Sequence, residues 1–155
     1  MIANDGITTR YGYDGLRRLS RVTLNHDGTG LEVADRNVTY TYGTVAGAAG
    51  FYAKGRLRTL THEGGNIVYS YDARGNVVFT QRTMDGWDFP MWLGYDAGGR
   101  LRHVTYPDGD TLGSATNPIR YDAVGRVVSI PGFVTSASYD AAGRLTEEHK
   151  TWQRE

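Results

Sequence analysis

Tyr139–Leu145 reads YDAAGRL and decides the fold, because close copies of it recur along the chain. In the clean copies a glycine follows the aspartate by three residues, then an arginine or asparagine, then leucine or valine. The glycines of successive copies lie 18 to 26 residues apart. A motif that recurs at this period predicts a tandem repeat. The residues predicted to build it are Tyr13, Asp14, Tyr71, Asp72, Gly75, Tyr95, Asp96, Gly99, Arg100, Tyr121, Asp122, Gly125, Arg126, Tyr139, Asp140, Gly143 and Arg144.

Each copy has the chemistry of a tight turn between two strands. An aspartate at the first turn position can accept a hydrogen bond from a backbone N–H two residues on, and a glycine three residues later tolerates a left-handed backbone. Such turns connect antiparallel strands, often with a bulge. In the strands that leave the turns, Leu57/Leu60, Leu101/Val104 and Val127/Ile130 are three apart and not two. This spacing predicts a β-bulge there.

The repeats predict an all-β fold, a curved antiparallel sheet of tandem hairpins with about ten to twelve short strands. Residues 1–155 are expected to form one repeat domain, with clean copies at about 71–148 and degenerate copies at about 11–62. In the degenerate copies, residues 51–57 (FYAKGRL) lack the aspartate and residues 13–19 (YDGLRRL) carry the glycine two places early. Residues 43–50 are interpreted as a loop, and Asp27-Gly28 as a turn.

Composition excludes several classes of function. Lys+Arg and Asp+Glu are both 17, and a chain without net charge has no strong field to attract nucleic acid or an anionic membrane. There is no cysteine, so disulfides and thiolate chemistry are excluded. No apolar stretch approaches the roughly 20 residues that span a bilayer. Residues 1–6 do not resemble a signal peptide, and the localisation is not fixed by the sequence.

Each candidate site in the sequence also has a possible structural role. The repeat aspartates could act as acids or bases, but their recurrence favours turn capping. The repeat arginines could bind anions, or they could pair with acidic groups or stack on tyrosine rings. Asp108-Gly109-Asp110 is interpreted as a turn and not as a calcium loop, because the other ligands of such a loop are missing. The histidines lack metal-ligand spacing, so no metal, cofactor or catalytic residue is predicted.

One feature lies outside the repeat pattern: residues 85–92, DGWDFPMW, carry Trp87, Phe89 and Trp92. Exposed, these rings could stack on a sugar or contact a partner protein. Buried, they would cover one face of the sheet, which is the interpretation we favour, since such a sheet needs large side chains to exclude water.

The motif YDAxGR followed by leucine or valine resembles the YD/RHS-repeat family, and the similar stretch runs from residue 13 to about 148. This family includes Rhs polymorphic toxins, shell components of insecticidal toxin complexes and teneurins. The resemblance implies a section of a β-shell that encloses a toxin, in a bacterial protein that is secreted or displayed on the cell surface. The chain is far shorter than complete shells of this kind.

Three functions follow as expectations. The first is a structural segment of a shell that encapsulates or presents a toxin or effector. The second is a module that binds carbohydrate or a cell surface through exposed tyrosine and tryptophan. The third and least favoured is an enzyme. The expected partners are further YD repeats or other copies of the chain, joined through edge strands, because end strands leave backbone groups unpaired. A toxin cargo or a cell-surface glycan is the other expected partner.

Overall fold

The computed structural model describes residues 8–25, 37–44 and 52–151. All regular elements in these ranges are β-strands, and a bilayer-spanning helix is absent from them. The chain divides into two compact units, Met1–Phe89 and Pro90–Glu155. The prediction of an all-β fold of antiparallel hairpins is confirmed. The single repeat domain over 1–155 stays a prediction.

The first unit is a run of antiparallel strands in which each strand pairs with the next from β1 to β6. The strands are β1 (Thr8–Tyr13), β2 (Leu19–Asn25), β3 (Val38–Tyr42), β4 (Leu57–His62), β5 (Gly65–Tyr71) and β6 (Val77–Met84). Strand β7 (Trp87–Tyr95) follows and contains the boundary between the units. The turn before it, Asp85-Gly86, has positive φ at both residues, as a two-residue hairpin turn requires.

In the second unit β7 pairs with β8 and β8 with β9, while two further hairpins form separate two-stranded sheets. These strands are β8 (Leu101–Thr105), β9 (Thr111–Leu112), β10 (Arg120–Tyr121), β11 (Val127–Ser129), β12 (Val134–Tyr139) and β13 (Leu145–Lys150). An isolated bridge joins Ile130 to Val134, between the last two hairpins.

The bulge predicted in the leaving strand is present. Tyr95 pairs with Leu101 and Gly94 with His103, which leaves Arg102 as the extra residue. The same shift leaves Arg58 extra beside Tyr42 and Val128 extra beside Tyr121. One inserted residue places the two aliphatic side chains three apart on the same face.

Little of the described structure is fully buried. Tyr71 and Val104 are among the few buried apolar residues, and none of the described large side chains is completely enclosed. Most strand positions are half-buried. The polar contacts at the turns therefore have an important share in fixing the hairpins, because a small core supplies limited stabilisation.

The turn at Pro107-Asp108-Gly109 has the geometry expected from sequence. The Asp108 carboxylate accepts the Asp110 N–H at 3.0 Å, and Gly109 has a φ of 92°. The Asp27-Gly28 turn and residues 45–50 of the predicted loop lie outside the described residues.

Candidate structural site: the turn and the arginine–tyrosine joint

The aspartate of each Tyr-Asp copy closes its own turn. In the copy at Asp122, Oδ1 accepts the backbone N–H groups of Val124 (3.0 Å) and Arg126 (2.9 Å), and Oδ2 accepts Arg126 Nε at 2.6 Å. The Gly125 N–H donates to the Asp122 carbonyl, and Gly125 has a φ of 91°. Both carboxylate oxygens are thus occupied within one five-residue loop.

The same set of bonds recurs at the other copies. Oδ1 accepts the backbone N–H two and four residues on at Asp14, Asp72, Asp96 and Asp140. Oδ2 accepts an arginine Nε at three of these, and the amide of Asn76 at the fourth. Asn76 therefore replaces the arginine inside the turn, but its short side chain ends there.

These hydrogen bonds lower the pKa of all five carboxyl groups. At Asp96, Asp122 and Asp140 the largest cause is the backbone N–H of the arginine four residues on. At Asp14 it is the Arg18 side chain. At Asp72 burial is the largest single effect and raises the pKa, but the combined hydrogen bonds, led by Asn76, outweigh it. The carboxylates are held in the charged form that accepts hydrogen bonds.

The arginine of one copy also lies under the tyrosine of a following strand. In the described chain the guanidinium carbon lies 4.1 to 5.5 Å from the ring centre in four such pairs. The pairs are Arg18–Tyr42, Arg56–Tyr71, Arg100–Tyr121 and Arg126–Tyr139. This is the geometry of a cation–π contact. Both structural roles expected for the arginines, pairing with aspartate and stacking on tyrosine, are present.

The hydroxyl of the same tyrosine completes the contact. It donates to the carbonyl of the residue after the arginine, at 2.7 to 2.8 Å in all four pairs. Burial raises the pKa of Tyr71 and Tyr121, which keeps these hydroxyls protonated as donors. We call this combination of stacked arginine and donating tyrosine the Arg–Tyr joint.

One degenerate copy is placed differently from the prediction. Tyr42 pairs with Leu57 as Tyr71 pairs with Val77, so Tyr42 is the repeat tyrosine. The prediction that residues 51–57 carry the repeat aromatic is therefore wrong, and Tyr52 is exposed. Gly43 takes the place of the repeat aspartate, and Gly55 and Arg56 take those of the repeat glycine and arginine, so the insertion lies between Gly43 and Ala53. The Gly43 N–H still donates to the Arg56 carbonyl, as the repeat aspartates donate elsewhere. Phe51 lies outside the described residues.

The first copy has no glycine at this turn position, and its backbone is strained there. Arg17 has a φ of 61° at the position where other copies have glycine, and its N–H donates to the Asp14 carbonyl at 2.9 Å. Arginine rarely adopts this left-handed backbone. The neighbouring hydrogen bonds of Asp14 hold the turn despite it.

The expectation that the tryptophan cluster is buried is wrong. Trp87 is 73% exposed, Phe89 45% and Trp92 47%. Trp87 and Phe89 lie two apart at the start of β7, so they share one face of that strand. Trp92 belongs to the second unit. Because the rings are exposed, they are accessible for the alternative role considered from the sequence, stacking on a sugar or contacting a partner protein.

Within the described ranges, no group of three or more histidine or acidic side chains could hold a metal ion. His103 lies against Gly94 on the neighbouring strand, and its Nδ1 is buried without a described partner. His26 lies outside the described residues.

The family model RHS Repeat matches residues 121–153. This segment is similar to an RHS repeat. The resemblance to the YD/RHS-repeat family is confirmed by this match, which contains Tyr121, Tyr139 and the joint between Arg126 and Tyr139. No curated protein has a significantly similar sequence.

Solved structures of toxin complexes share the fold of the chain. The crystal structure of TcdB2-TccC3-Cdc42 matches with a TM-score of 0.75 at 16% identity, and that of TcdB2-TccC3 with 0.75 at 17%. The Photorhabdus luminescens Tc holotoxin pore matches with a TM-score of 0.72 at 18% identity. Each match covers 94% of this chain but only 8% of the other, so the chain spans a small part of the proteins it resembles.

Sequence reasoning missed the Arg–Tyr joint as a unit. The signal was present, because each Arg-Leu or Arg-Val pair before Arg144 is followed by a later tyrosine at a strand end. The sequence does not show which tyrosine a given arginine contacts, however, because the number of residues between the two differs from pair to pair.

Proposed function

We propose that this chain is a section of the wall of an RHS-type shell that encapsulates or presents a toxin or effector. The observation that carries the proposal is the Arg–Tyr joint, which occurs four times with the same stacked ring and a tyrosine–carbonyl bond of 2.7 to 2.8 Å, while the connections vary in length. A repeated joint makes each hairpin a support for the next, as expected of a structural array. The fold shared with TcdB2-TccC3 complexes supports the same role.

The proposal assigns no catalysis to the repeat aspartates. Both oxygens of each carboxylate accept hydrogen bonds from their own turn, and the lowered pKa values keep these groups ionised. A general acid needs a pKa near the working pH. A hydrolase screen tests this assignment: activity abolished by one Asp→Asn change, but not by the same change in other copies, contradicts it.

Encapsulation is tested by protease protection in the polypeptide that contains this chain. A reporter placed as cargo should resist trypsin at neutral pH and become cleavable at the urea concentration that unfolds the repeats. A variant that weakens the wall, Tyr139→Phe, should shift both transitions together. If trypsin cleaves the reporter as fast when the repeats are folded as when they are unfolded, the proposal is contradicted.

A second candidate function is carbohydrate or cell-surface binding by Trp87 and Phe89. The observation that favours it is their exposure on one face of β7. Sugars stack on exposed aromatic faces of this kind. A glycan array and titration of tryptophan fluorescence test it, with Trp87→Ala as the loss variant and Phe133→Ala, at another exposed ring, as the control. If neither the array nor the fluorescence responds to sugars, the structural role in a shell wall is favoured over sugar binding.

A further inference from the structure

Two clefts of the second unit share one wall, the tight turn at residues 130–134. The backbones of Ile130 and Val134 bond each other in both directions at 2.8 Å, and Pro131 and Gly132 line both clefts. The volume of one cleft is about 300 Å³ and that of the other about 450 Å³. A Cβ atom added at Gly132 would meet no atom within 4 Å, so the surface between the two clefts is open.

The smaller cleft presents hydrogen-bond donors to an anion. Arg120 lines it and is exposed, and Ser129 lies directly opposite Arg120 in the β10–β11 pair, so both side chains are on one face. Among the arginines described in residues 90–151, Arg120 alone has no partner, because each of the others bonds a carboxylate or a backbone carbonyl. A guanidinium and a hydroxyl on one face are suited to bind a carboxylate.

The larger cleft carries the opposite charge. Asp108 and Asp110 line it together with the rings of Tyr106 and Phe133, and the Asp110 carboxylate has no partner in the described part of the chain. Every other carboxylate described in residues 90–151 accepts a hydrogen bond or pairs with a cation. A carboxylate beside an aromatic ring is also what the Arg–Tyr joints provide for a guanidinium.

Asp110 stands at the position where a repeat turn has its arginine. The Tyr106 N–H donates to the Asp110 carbonyl at 2.8 Å, and the Gly109 N–H donates to the Tyr106 carbonyl at 3.0 Å. The repeat turn at residues 122–126 has the same two backbone bonds, with Arg126 at the last position. The glycine φ is 92° in the first turn and 91° in the second. The backbone that presents a cation in the repeat therefore presents a carboxylate here.

We propose that the two clefts form one docking surface for an extended polypeptide segment of a partner protein, with an acidic side chain at Arg120 and a basic side chain at Asp110. In the described part of the second unit, the arginine and the carboxylate without partners line these two neighbouring clefts. Opposite charges on the two sides of one turn favour a segment that carries both signs and disfavour segments of a single sign. The inference goes beyond the structural role, because a section of wall needs no ligand.

Titration of the whole chain with short peptides, followed by amide NMR, tests the docking surface. The peptides carry an arginine and a glutamate joined by glycine spacers of increasing length. The affinity should pass through a maximum at one spacer length, because both charges then bind at once. The amide signals of residues 106–112 and 129–133 should shift. Citrulline in place of the arginine, or glutamine in place of the glutamate, should weaken binding about 2- to 5-fold, the effect of one exposed ion pair.

Single substitutions in the chain should act in the same way as the neutral peptides. Asp110→Asn and Arg120→Gln should each weaken binding about 2- to 5-fold. The thermal melting of both variants should stay near that of the parent chain, since neither side chain has a partner in the described structure. Asp85→Asn and Arg10→Gln are the matched controls, because they remove the same charges from exposed positions in the first unit and should leave binding unchanged.

Charge reversal separates docking from general electrostatic attraction. Arg120→Glu should bind the original peptide more weakly and should bind best a peptide with lysine in place of its glutamate. The inference is overturned if no peptide of the series binds, if the neutral peptides bind equally well, if the control variants lose as much affinity, or if the reversed pair does not bind. None of these results bears on the wall proposal, which protease protection tests separately.

Discussion

At the scale of single residues, the repeat gives a separate role to its aspartate, its glycine and its arginine. The aspartate closes the turn, the glycine admits a left-handed backbone, and the arginine links the turn to a tyrosine elsewhere. The first two roles are predictable from sequence because their contacts lie within four residues. For the third, the sequence predicts stacking on a tyrosine but not on which one, since the partner of Arg18 is Tyr42, on the far side of a connection of variable length.

Arg17→Gly is predicted to stabilise the chain by about 0.5 to 1 kcal/mol. The substitution relieves the left-handed strain of Arg17, which costs roughly 1–2 kcal/mol, and part of this gain is offset by the entropy of an added glycine. Urea unfolding followed by circular dichroism measures the change. Leu16→Gly, in the same turn without positive φ, is the matched control and should destabilise. A neutral or harmful Arg17→Gly would show that the turn is not strained.

At the scale of elements, hairpin and bulge follow from local sequence, because the turn fixes the register of the strands it joins. The repeat tyrosine of the insertion-bearing copy could not be assigned this way: Tyr42 and Leu57 pair across an inserted segment, whereas Tyr52 is nearer in sequence. The predicted burial of Trp87 failed for a related reason. Exclusion of water from a face depends on what packs against it, which a strand pattern does not specify.

Gly94→Ala is predicted to destabilise by about 1–3 kcal/mol. A methyl group there would overlap the His103 imidazole on the paired strand, and the ring would have to move. Gly15→Ala, where an added methyl group meets open space, is the control and should change the free energy of unfolding little. Equal effects of the two substitutions would contradict the close Gly94–His103 contact.

At the scale of the whole molecule, five ionised turn carboxylates and a small core make stability depend on pH. Their folded pKa values lie below the ordinary value of 3.8, so the unfolded chain binds protons first on acidification. Their contribution to stability is therefore complete well above pH 3.8 and is lost as the pH falls toward the folded pKa values.

Urea unfolding between pH 7 and pH 2 should show a free energy of unfolding that declines steeply near and below pH 4. The Asp122→Asn variant should be less stable at neutral pH but decline less on acidification, because one proton-linked group is gone. An unchanged slope in this variant would mean that the Asp122 hydrogen bonds do not act in solution.

The central claim is that each arginine couples its turn to the tyrosine of a following hairpin. A double-mutant cycle on Arg126→Gln and Tyr139→Leu measures that coupling directly from urea unfolding, with Arg144→Gln and Tyr121→Leu as a pair that is not joined. We predict a coupling energy of about 0.5–1 kcal/mol for the first pair, the range of an exposed cation–π contact. A value of zero for Arg126 and Tyr139, equal to that of the control pair, would contradict the claim.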